Sequence, residues 1–288
     1  MVELENHFFS PLERQQFLEK LHNALSQDPR ILGAVLVGSA AVGFADRFSD
    51  IDIYGVVADG VDAKSVFEDW IAKIRSLRPV IRNFSSQPSP DVWLAGFLFE
   101  DYLELDISFQ TAKRLNARKE KWQVLFDRSG ELEDRMKASW ENREVSSITE
   151  RYTFLLNDIW YYIVHTVVCS VRGHSIRAAY YLNFVRDFCV KLAGLLENVE
   201  TNESRQAHLL PSDFKDELQR TLIKSFEQAE LQQAVLAGYE LFFRLAAEMD
   251  QRLGENHSDR LAEQIREYLT QWESGKMKLT DDASPRDK

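Results

Sequence analysis

Residues 35–53 constrain this chain more than any other part of its sequence. An apolar run ends at Gly38-Ser39, a short polar and glycine-containing connection follows, and Asp50 and Asp52 lie two residues apart beside and within a second apolar run. In a β-strand, residues i and i+2 project from the same face, so the two carboxylates are expected to project together. Such close carboxylates repel each other unless a cation lies between them. The pattern therefore predicts a divalent metal site, most simply for Mg²⁺, which binds carboxylates together with substrate phosphates.

A third acidic residue is a candidate for the same site. Residues 102–109 alternate between polar and apolar side chains, which predicts a strand with one buried face. Asp106 lies on the polar face of this strand between apolar neighbours, as Asp50 and Asp52 do. Glu104 lies on the same face and is a weaker candidate for the same role. The alternative is that Glu104 and Asp106 simply face solvent.

Gly38 and Ser39 are suited to holding phosphate groups. Glycine adopts positive φ and lets the backbone approach a ligand closely, and the Ser39 hydroxyl and neighbouring backbone N–H groups can cradle phosphate oxygens. The alternative is an ordinary strand-to-helix turn in which Ser39 is the N-cap. What distinguishes the pair is its position, because ten residues separate Ser39 from Asp50.

Gly38-Ser39, the ten-residue gap, Asp50-x-Asp52 and the distal Asp106 together resemble the signature of the DNA polymerase beta-type nucleotidyltransferase superfamily. The resemblance implies that the Gly-Ser turn holds the triphosphate of an incoming nucleotide and that Ser39 contacts its β- and γ-phosphates. It also implies that Asp50 and Asp52 bind two Mg²⁺ ions. Asp106 would complete the metal site or accept the proton of the attacking hydroxyl.

The resemblance covers roughly residues 30–110 and implies in-line transfer of a nucleoside monophosphate, with AMP from ATP the leading prediction. Protein groups in such a reaction mainly position the reactants and neutralise charge. Arg47, just before the paired aspartates, could bind a nucleotide phosphate. The alternative is that Arg47 is a solvated loop arginine.

Composition restricts the partners of the chain. Its 288 residues carry 35 Lys and Arg against 46 Asp and Glu, a formal net charge of −11, which is unfavourable for gripping an extended nucleic acid and allows a cationic acceptor. No run of about eighteen apolar residues predicts a membrane span. The acidic first residues do not resemble a signal peptide, and we expect a cytoplasmic protein. Cys169 and Cys189 lie in apolar helical segments and are expected to be buried free thiols.

The pattern along the chain predicts two domains of different character. The first, residues 1–146, is expected to contain helices at 11–27 and 62–78, strands at 31–37, 50–57, 79–84, 92–99 and 102–109, a turn over 85–90, and a charged, partly helical segment at 111–136. The second, residues 147–274, is expected to contain helices near 148–171, 175–197, 212–226, 228–252 and 257–274. Residues 275–288 are polar and are expected to form a disordered tail. The predicted fold class is an α/β (α+β) nucleotidyltransferase domain with a mixed sheet, followed by an all-α domain.

The helical half carries a second resemblance. The order of its aromatic-rich helix, the turn at Gly173 and the following helix is similar to the carboxy-terminal domain of streptomycin-type aminoglycoside 6-adenylyltransferases. That resemblance implies that this half helps to hold the nucleotide and the acceptor. The candidates for this role are Asp158, His165, Arg177, Tyr181, Arg186, Asp187 and Lys191. Lys191 is the candidate for the nucleotide phosphates, and the alternative is that it simply pairs with Asp187 one turn away.

Three functions remain open from the sequence. The leading hypothesis is an Mg²⁺-dependent enzyme that transfers AMP from ATP to a hydroxyl of a small molecule, with an aminoglycoside-like antibiotic as the leading acceptor and antibiotic resistance as the biological role. The second is a nucleotidyltransferase that modifies a protein or RNA partner, as antitoxins of this superfamily do. The third is a protein that binds nucleotide without catalysis.

Overall fold

The computed structural model describes residues 8–277, which form two compact units divided between Glu144 and Val145. This division lies close to the predicted boundary after residue 146. The predicted tail over 275–288 lies outside the described residues from residue 278 onward.

The first unit is a mixed six-stranded sheet with three helices. Its elements are α1 (Pro11–Gln27), β1 (Ile31–Val37), β2 (Ile51–Val57), α2 (Ala63–Leu77), β3 (Val80–Ser89), β4 (Val92–Phe99), β5 (Glu104–Thr111), β6 (Gln123–Asp127) and α3 (Leu132–Glu141). The strand order is β3-β4-β5-β2-β1-β6. β2 and β5 are parallel, whereas the other neighbours are antiparallel. The predicted mixed sheet is confirmed.

Local sequence signals fix the start of α1. Ser10 and Glu13 form a capping box, in which each side chain bonds the backbone N–H of the other, and Pro11 occupies the first turn. The helix then buries a stripe that includes Phe17 and Leu21. Such a stripe at three- and four-residue spacing packs one face of a helix against the sheet.

Two parts of the predicted sheet were wrong. Residues 85–90 were predicted to form a turn, but β3 continues to Ser89. β3 is an edge strand, where the missing N–H of Pro88 costs no ladder hydrogen bond, and its register with β4 shifts between Ser86 and Ser89. The segment 111–136 contains the short strand β6, which pairs with the outer edge of β1. That pairing supplies hydrogen bonds from a distant strand, and no local pattern predicts it.

The two faces of the sheet are covered differently. One face packs on α1 and α2 in a large core that includes Leu21, Ile53 and Trp70. The other face carries a smaller cluster in which Val56 of β2 packs with Met136 of α3. Because alternate residues of a strand share a face, the aspartates of β2 and β5 lie on the face of the smaller cluster.

The second unit is all-helical, as predicted. Its helices are α4 (Ile148–Val171), α5 (Ser175–Glu197), α6 (Ser212–Gln219), α7 (Gln228–Leu253) and α8 (Asp259–Glu273). α6 is shorter than the predicted 212–226, because the chain turns at Thr221, whose side chain bonds the Leu218 carbonyl. Cys169 and Cys189 are free and buried, as predicted.

By length and composition alone, α4 could cross a membrane. Its residues Tyr152, Ile159 and Ile163 nevertheless pack in the core of the helical unit. A core helix of a globular domain passes the same test, so this observation is weak evidence for a membrane span.

Candidate active site

The structure places Asp52 and Asp106 side by side. They are register partners on the parallel strands β2 and β5, and both are half-buried. Adjacent strands lie about 4.8 Å apart, so the two carboxylates leave the same face of the sheet as close neighbours. The sequence predicted that the two residues belong together, although 53 residues separate them along the chain.

Asp50 and Glu104 extend the negative charge of this site. Asp50 immediately precedes β2, and Glu104 is the first residue of β5. Burial raises the pKa of Asp106 above its usual value, and the charges of Asp50 and Glu104 raise it further. The site therefore concentrates carboxylates at a cost that a bound cation would relieve.

A divalent metal fits this donor set only if the substrate contributes ligands. In the described part of the chain, no group of three His, Cys, Asp or Glu side chains is arranged to hold a metal ion. Mg²⁺ is commonly held by one or two carboxylates, with water and substrate phosphates completing the octahedron. Asp52 and Asp106 meet that smaller requirement, and Asp50 lies at the same end of β2.

Gly38 packs its backbone against Asp52. It follows the last residue of β1, Val37, which is the register partner of Asp52. Gly38 has a φ of +68°, and a Cβ at this position would overlap Asp52 Oδ2. Both the left-handed conformation and the close approach require glycine. The Gly-Ser turn therefore lies directly beside the carboxylate pair.

The Ser39 hydroxyl is buried and has no hydrogen-bond partner among the described residues. Ser39 lies in a 3₁₀ turn over Gly38–Val42 whose N-cap is Val37, and no side chain caps this turn. The alternative role of Ser39 as an N-cap is therefore not observed. A buried hydroxyl without a partner is costly, and a ligand oxygen would satisfy it. Phosphate binding by Ser39 remains a prediction.

The two predicted phosphate-binding cations have different surroundings. Arg47 is exposed in the loop before β2, with its guanidinium 5.0 Å from the ring centre of Phe48. Lys191 belongs to the helical unit and forms an ion pair with Asp187 at 2.6 Å. The alternative pairing of Lys191 is therefore present, and a phosphate role for either cation remains a prediction.

The other candidates of the helical unit lie on α4 and α5. Tyr181 is buried, and Arg177 donates to its hydroxyl at 3.4 Å. The Nδ1 atom of His165 lies 2.9 Å from the Tyr161 carbonyl oxygen. Arg186 donates to the Thr221 carbonyl at 3.0 Å. Asp158 is half-buried on α4. These contacts give most of the candidates structural roles, and their contribution to ligand binding stays a prediction.

Arg14 is a site residue that the sequence analysis missed. Its side chain is only 3% exposed, and its Nη1 donates to the carbonyl oxygens of Asp46 at 3.0 Å and Ser49 at 2.8 Å. The guanidinium lies 3.7 Å from the ring centre of Phe44. Burial lowers the pKa of Arg14, and the charges of Asp46 and Asp50 oppose that shift. Arg14 thus holds the loop that leads from the Gly-Ser turn to Asp50.

A signal for this role was present in the sequence. Arg14 lies three and four residues before Phe17 and Leu18, on the apolar stripe of α1. A charged residue on a buried stripe needs partners, because burying an unpaired charge is expensive.

Replacing Arg14 with methionine is expected to lower the free energy of unfolding by about 2–3 kcal/mol, because the buried Ser49 carbonyl and the partly buried Asp46 carbonyl lose a charged donor. Hydrogen–deuterium exchange should rise over residues 44–50 and not in β1. Lys20→Met, an exposed change on the same helix, should leave both quantities unchanged. Equal exchange over residues 44–50 in Arg14→Met and the parent would contradict the positioning role.

Asp106→Asn is expected to stabilise the metal-free protein at neutral pH by up to about 1 kcal/mol, the usual scale for like charges on neighbouring strands. The raised pKa of Asp106 means that the folded state binds the proton more tightly than the unfolded state. The advantage of asparagine is therefore full above the folded-state pKa and disappears as the pH falls below the ordinary aspartate value of about 3.9. Urea unfolding from pH 7 to pH 3.5 in EDTA measures it. A gain in the free energy of unfolding that does not depend on pH would show that the ionised Asp106 carboxylate does not destabilise the folded protein.

A mixed sheet that presents paired carboxylates beside a Gly-Ser turn defines a nucleotidyltransferase. The chain belongs to the streptomycin adenylyltransferase family, because the family model of that description matches residues 13–272. It is therefore an adenylyltransferase, and the predicted resemblance is confirmed. Enzymes of this kind use a nucleotide donor and a divalent metal.

Two solved structures share a low sequence identity with the chain. An aminoglycoside 6-adenyltransferase from Bacillus subtilis is 16% identical, with a TM-score of 0.44 over 90% of this chain and 98% of that one. A nucleotidyltransferase-like protein from Exiguobacterium sibiricum 255-15 is 14% identical, with a TM-score of 0.39 over 81% of this chain and 77% of that one. No curated protein matches the chain.

Proposed function

We propose that this enzyme transfers AMP from ATP, with Mg²⁺, to a hydroxyl group of a small molecule. The observation that carries the proposal is the register pairing of Asp52 with Asp106, with Gly38 packed against Asp52. This arrangement brings the carboxylate pair, which would hold the metal, next to the turn that would hold the phosphates. Family membership supports the nucleotide donor and the small-molecule acceptor.

Each residue of the site has a distinct role in this proposal. The Ser39 hydroxyl and the backbone of the Gly-Ser turn hold the β- and γ-phosphates. Asp50, Asp52 and Asp106 are the residues that would hold Mg²⁺, which when bound supplies charge neutralisation and polarises the reacting oxygens. Arg47 and Lys191 are the candidate cations for the phosphates.

Asp106 is the candidate general base. Its carboxylate lies on the strand beside Asp52, and a carboxylate within hydrogen-bond reach of the acceptor hydroxyl can accept its proton. It would take the proton of the acceptor hydroxyl as the acceptor oxygen bonds to the α-phosphorus. The bond from the α-phosphorus to the bridging oxygen then breaks, and pyrophosphate leaves. Positioning of the two reactants supplies much of the rate.

An aminoglycoside-like antibiotic is the first acceptor to test, and a role in antibiotic resistance follows if it is modified. The family and the net charge of −11 support this choice. Modification of a protein or RNA partner is the second candidate function, and nucleotide binding without catalysis is the third. We propose a cytoplasmic location, where ATP is available and the two free thiols stay reduced.

Release of pyrophosphate from ATP tests the proposal. The purified protein is incubated with ATP and Mg²⁺, with and without each member of a panel of aminoglycosides and lincosamides. Pyrophosphate release is measured, and the mass of each acceptor is determined by mass spectrometry. Acceptor-dependent release that EDTA abolishes, with a mass gain of one AMP, is the expected result. Label from ATP that appears on protein or RNA would favour the second function, and ATP binding without any transfer would favour the third.

A further inference from the structure

A cavity of about 430 Å³ opens on the sheet face that carries the carboxylates. Tyr54 and Ser108 form part of its floor, and they follow Asp52 and Asp106 by two residues on the same strands. Because each strand residue advances the chain about 3.3 Å, the floor begins about 7 Å from the carboxylate pair. The cavity continues toward β4, where Leu94 pairs with Ser108. The Gly-Ser turn lies on the opposite side of Asp52, toward β1.

Positive charge gathers at the wall of this cavity. The segment that follows β5 contributes Lys113, Arg114 and Arg118 to the lining. Asp91 pairs with Arg114 at 3.7 Å, which leaves Lys113 and Arg118 as two further positive charges. In a chain with a net charge of −11, this is a local reversal of sign.

The floor of the cavity offers a polar group that the protein itself does not use. Ser108 is 4% exposed, and its Oγ has no hydrogen-bond partner in the described residues. Buried hydroxyl groups are normally bonded, and such an exception needs an explanation. A ligand oxygen in the cavity would provide the missing partner.

Tyr54 connects the cavity to the carboxylate pair. It lines the cavity, and it follows Asp52 by two residues on β2, so both side chains leave the same face of the sheet. A ligand in the cavity would be close to the site of reaction.

We propose that this cavity binds a phosphate-bearing ligand, with Lys113 and Arg118 holding its anionic groups and Ser108 bonding one of its oxygens. The inference rests on the proposed function and adds Lys113 and Arg118 to the candidate phosphate-binding cations Arg47 and Lys191. Two sources share this chemistry, namely the phosphates of ATP and a phosphate group on the acceptor. A polycationic acceptor would be repelled from the cavity by the same side chains.

Calorimetric titration of two charge-matched double variants tests this inference. Lys113→Gln/Arg118→Gln removes the cavity cations, and Lys119→Gln/Lys121→Gln removes the same charge from exposed positions of the same segment that do not line the cavity. The probes are ATP with Mg²⁺, inorganic pyrophosphate and glucose 6-phosphate. The cavity variant should bind at least one probe about tenfold more weakly than the parent, because charged hydrogen bonds are lost. The control should stay within roughly twofold, since neither Lys119 nor Lys121 lines the cavity.

The pattern of losses identifies the source of the phosphate. Weaker binding of ATP and pyrophosphate assigns the cavity to the donor, and weaker binding of glucose 6-phosphate alone assigns it to the acceptor. Ser108→Ala should weaken the same probe and leave the melting temperature unchanged, because its hydroxyl has no hydrogen-bond partner among residues 8–277.

Equal binding of all probes by both double variants and the parent would overturn the cavity assignment and leave the proposed function intact. A parent that binds no ATP would instead overturn the proposed function. In that case the pyrophosphate and glucose 6-phosphate titrations still decide the cavity, because neither depends on catalysis. A parent that binds none of the three probes overturns both.

Discussion

Replacing Asp52 with asparagine is expected to lower the rate of AMP transfer by about 10³-fold or more, because a metal-binding carboxylate supplies several kcal/mol of stabilisation to the transition state. Asp52 is the register partner of Asp106 and the neighbour of Gly38. In the proposed mechanism, its removal would therefore weaken the metal site and displace the Gly-Ser turn that would hold the triphosphate. Steady-state pyrophosphate release at saturating ATP measures the loss.

A matched control separates the loss of the site from a general loss of charge. Asp59→Asn removes the same charge from an exposed turn that follows β2. This variant should keep the parental rate. An Asp52→Asn variant that keeps more than about a tenth of the parental rate would show that the carboxylate does not hold the metal, because a tenfold loss corresponds to only 1.4 kcal/mol.

Gly38→Ala is expected to lower the rate of transfer about 10²-fold and to destabilise the fold, because two independent constraints meet at this residue. A non-glycine residue at a φ of +68° costs about 1–2 kcal/mol. The added Cβ also overlaps Asp52 Oδ2, so the carboxylate must move. A displacement of about 1 Å at a reacting centre can lower the rate about 10²-fold.

Gly43→Ala is the control for the cost of placing a non-glycine residue at a positive φ. It has a φ of +92°, and a Cβ there would meet nothing within 4 Å. Gly43→Ala should therefore lose a similar amount of stability to backbone strain and keep its activity. Urea unfolding and pyrophosphate release measured on both variants separate the two effects. Equal activity of the two variants would contradict the view that Gly38 positions Asp52.

Local pattern was sufficient to predict the central elements of the catalytic unit. Alternation placed Asp52 and Asp106 on polar strand faces, and capping signals placed the start of α1. These features depend on neighbouring residues, so one sequence contains them. The direct contact of Gly38 with Asp52 was not predicted, because it depends on the pairing of β1 with β2.

The features that could not be predicted depend on contacts between distant segments. β6 forms because the outer edge of β1 offers it a partner. The position of Arg14 on the apolar stripe indicated that it needs partners, but those partners are carbonyl groups more than thirty residues away, which any sequence would carry. The basic wall beside Tyr54 arises from a segment that begins after β5. The negative net charge of the whole chain did not indicate that this wall would be positively charged.

The source of the transferred group tests the central claim most directly. The enzyme is given ATP labelled either at the α-phosphate or at the γ-phosphate, with Mg²⁺ and an acceptor identified by the panel. Nucleotidyl transfer predicts that the α-label appears on the acceptor and the γ-label in pyrophosphate. With Asp52→Asn, neither labelled product should form at a comparable rate. Label from the γ-phosphate on the acceptor, or undiminished transfer by Asp52→Asn, would contradict the account.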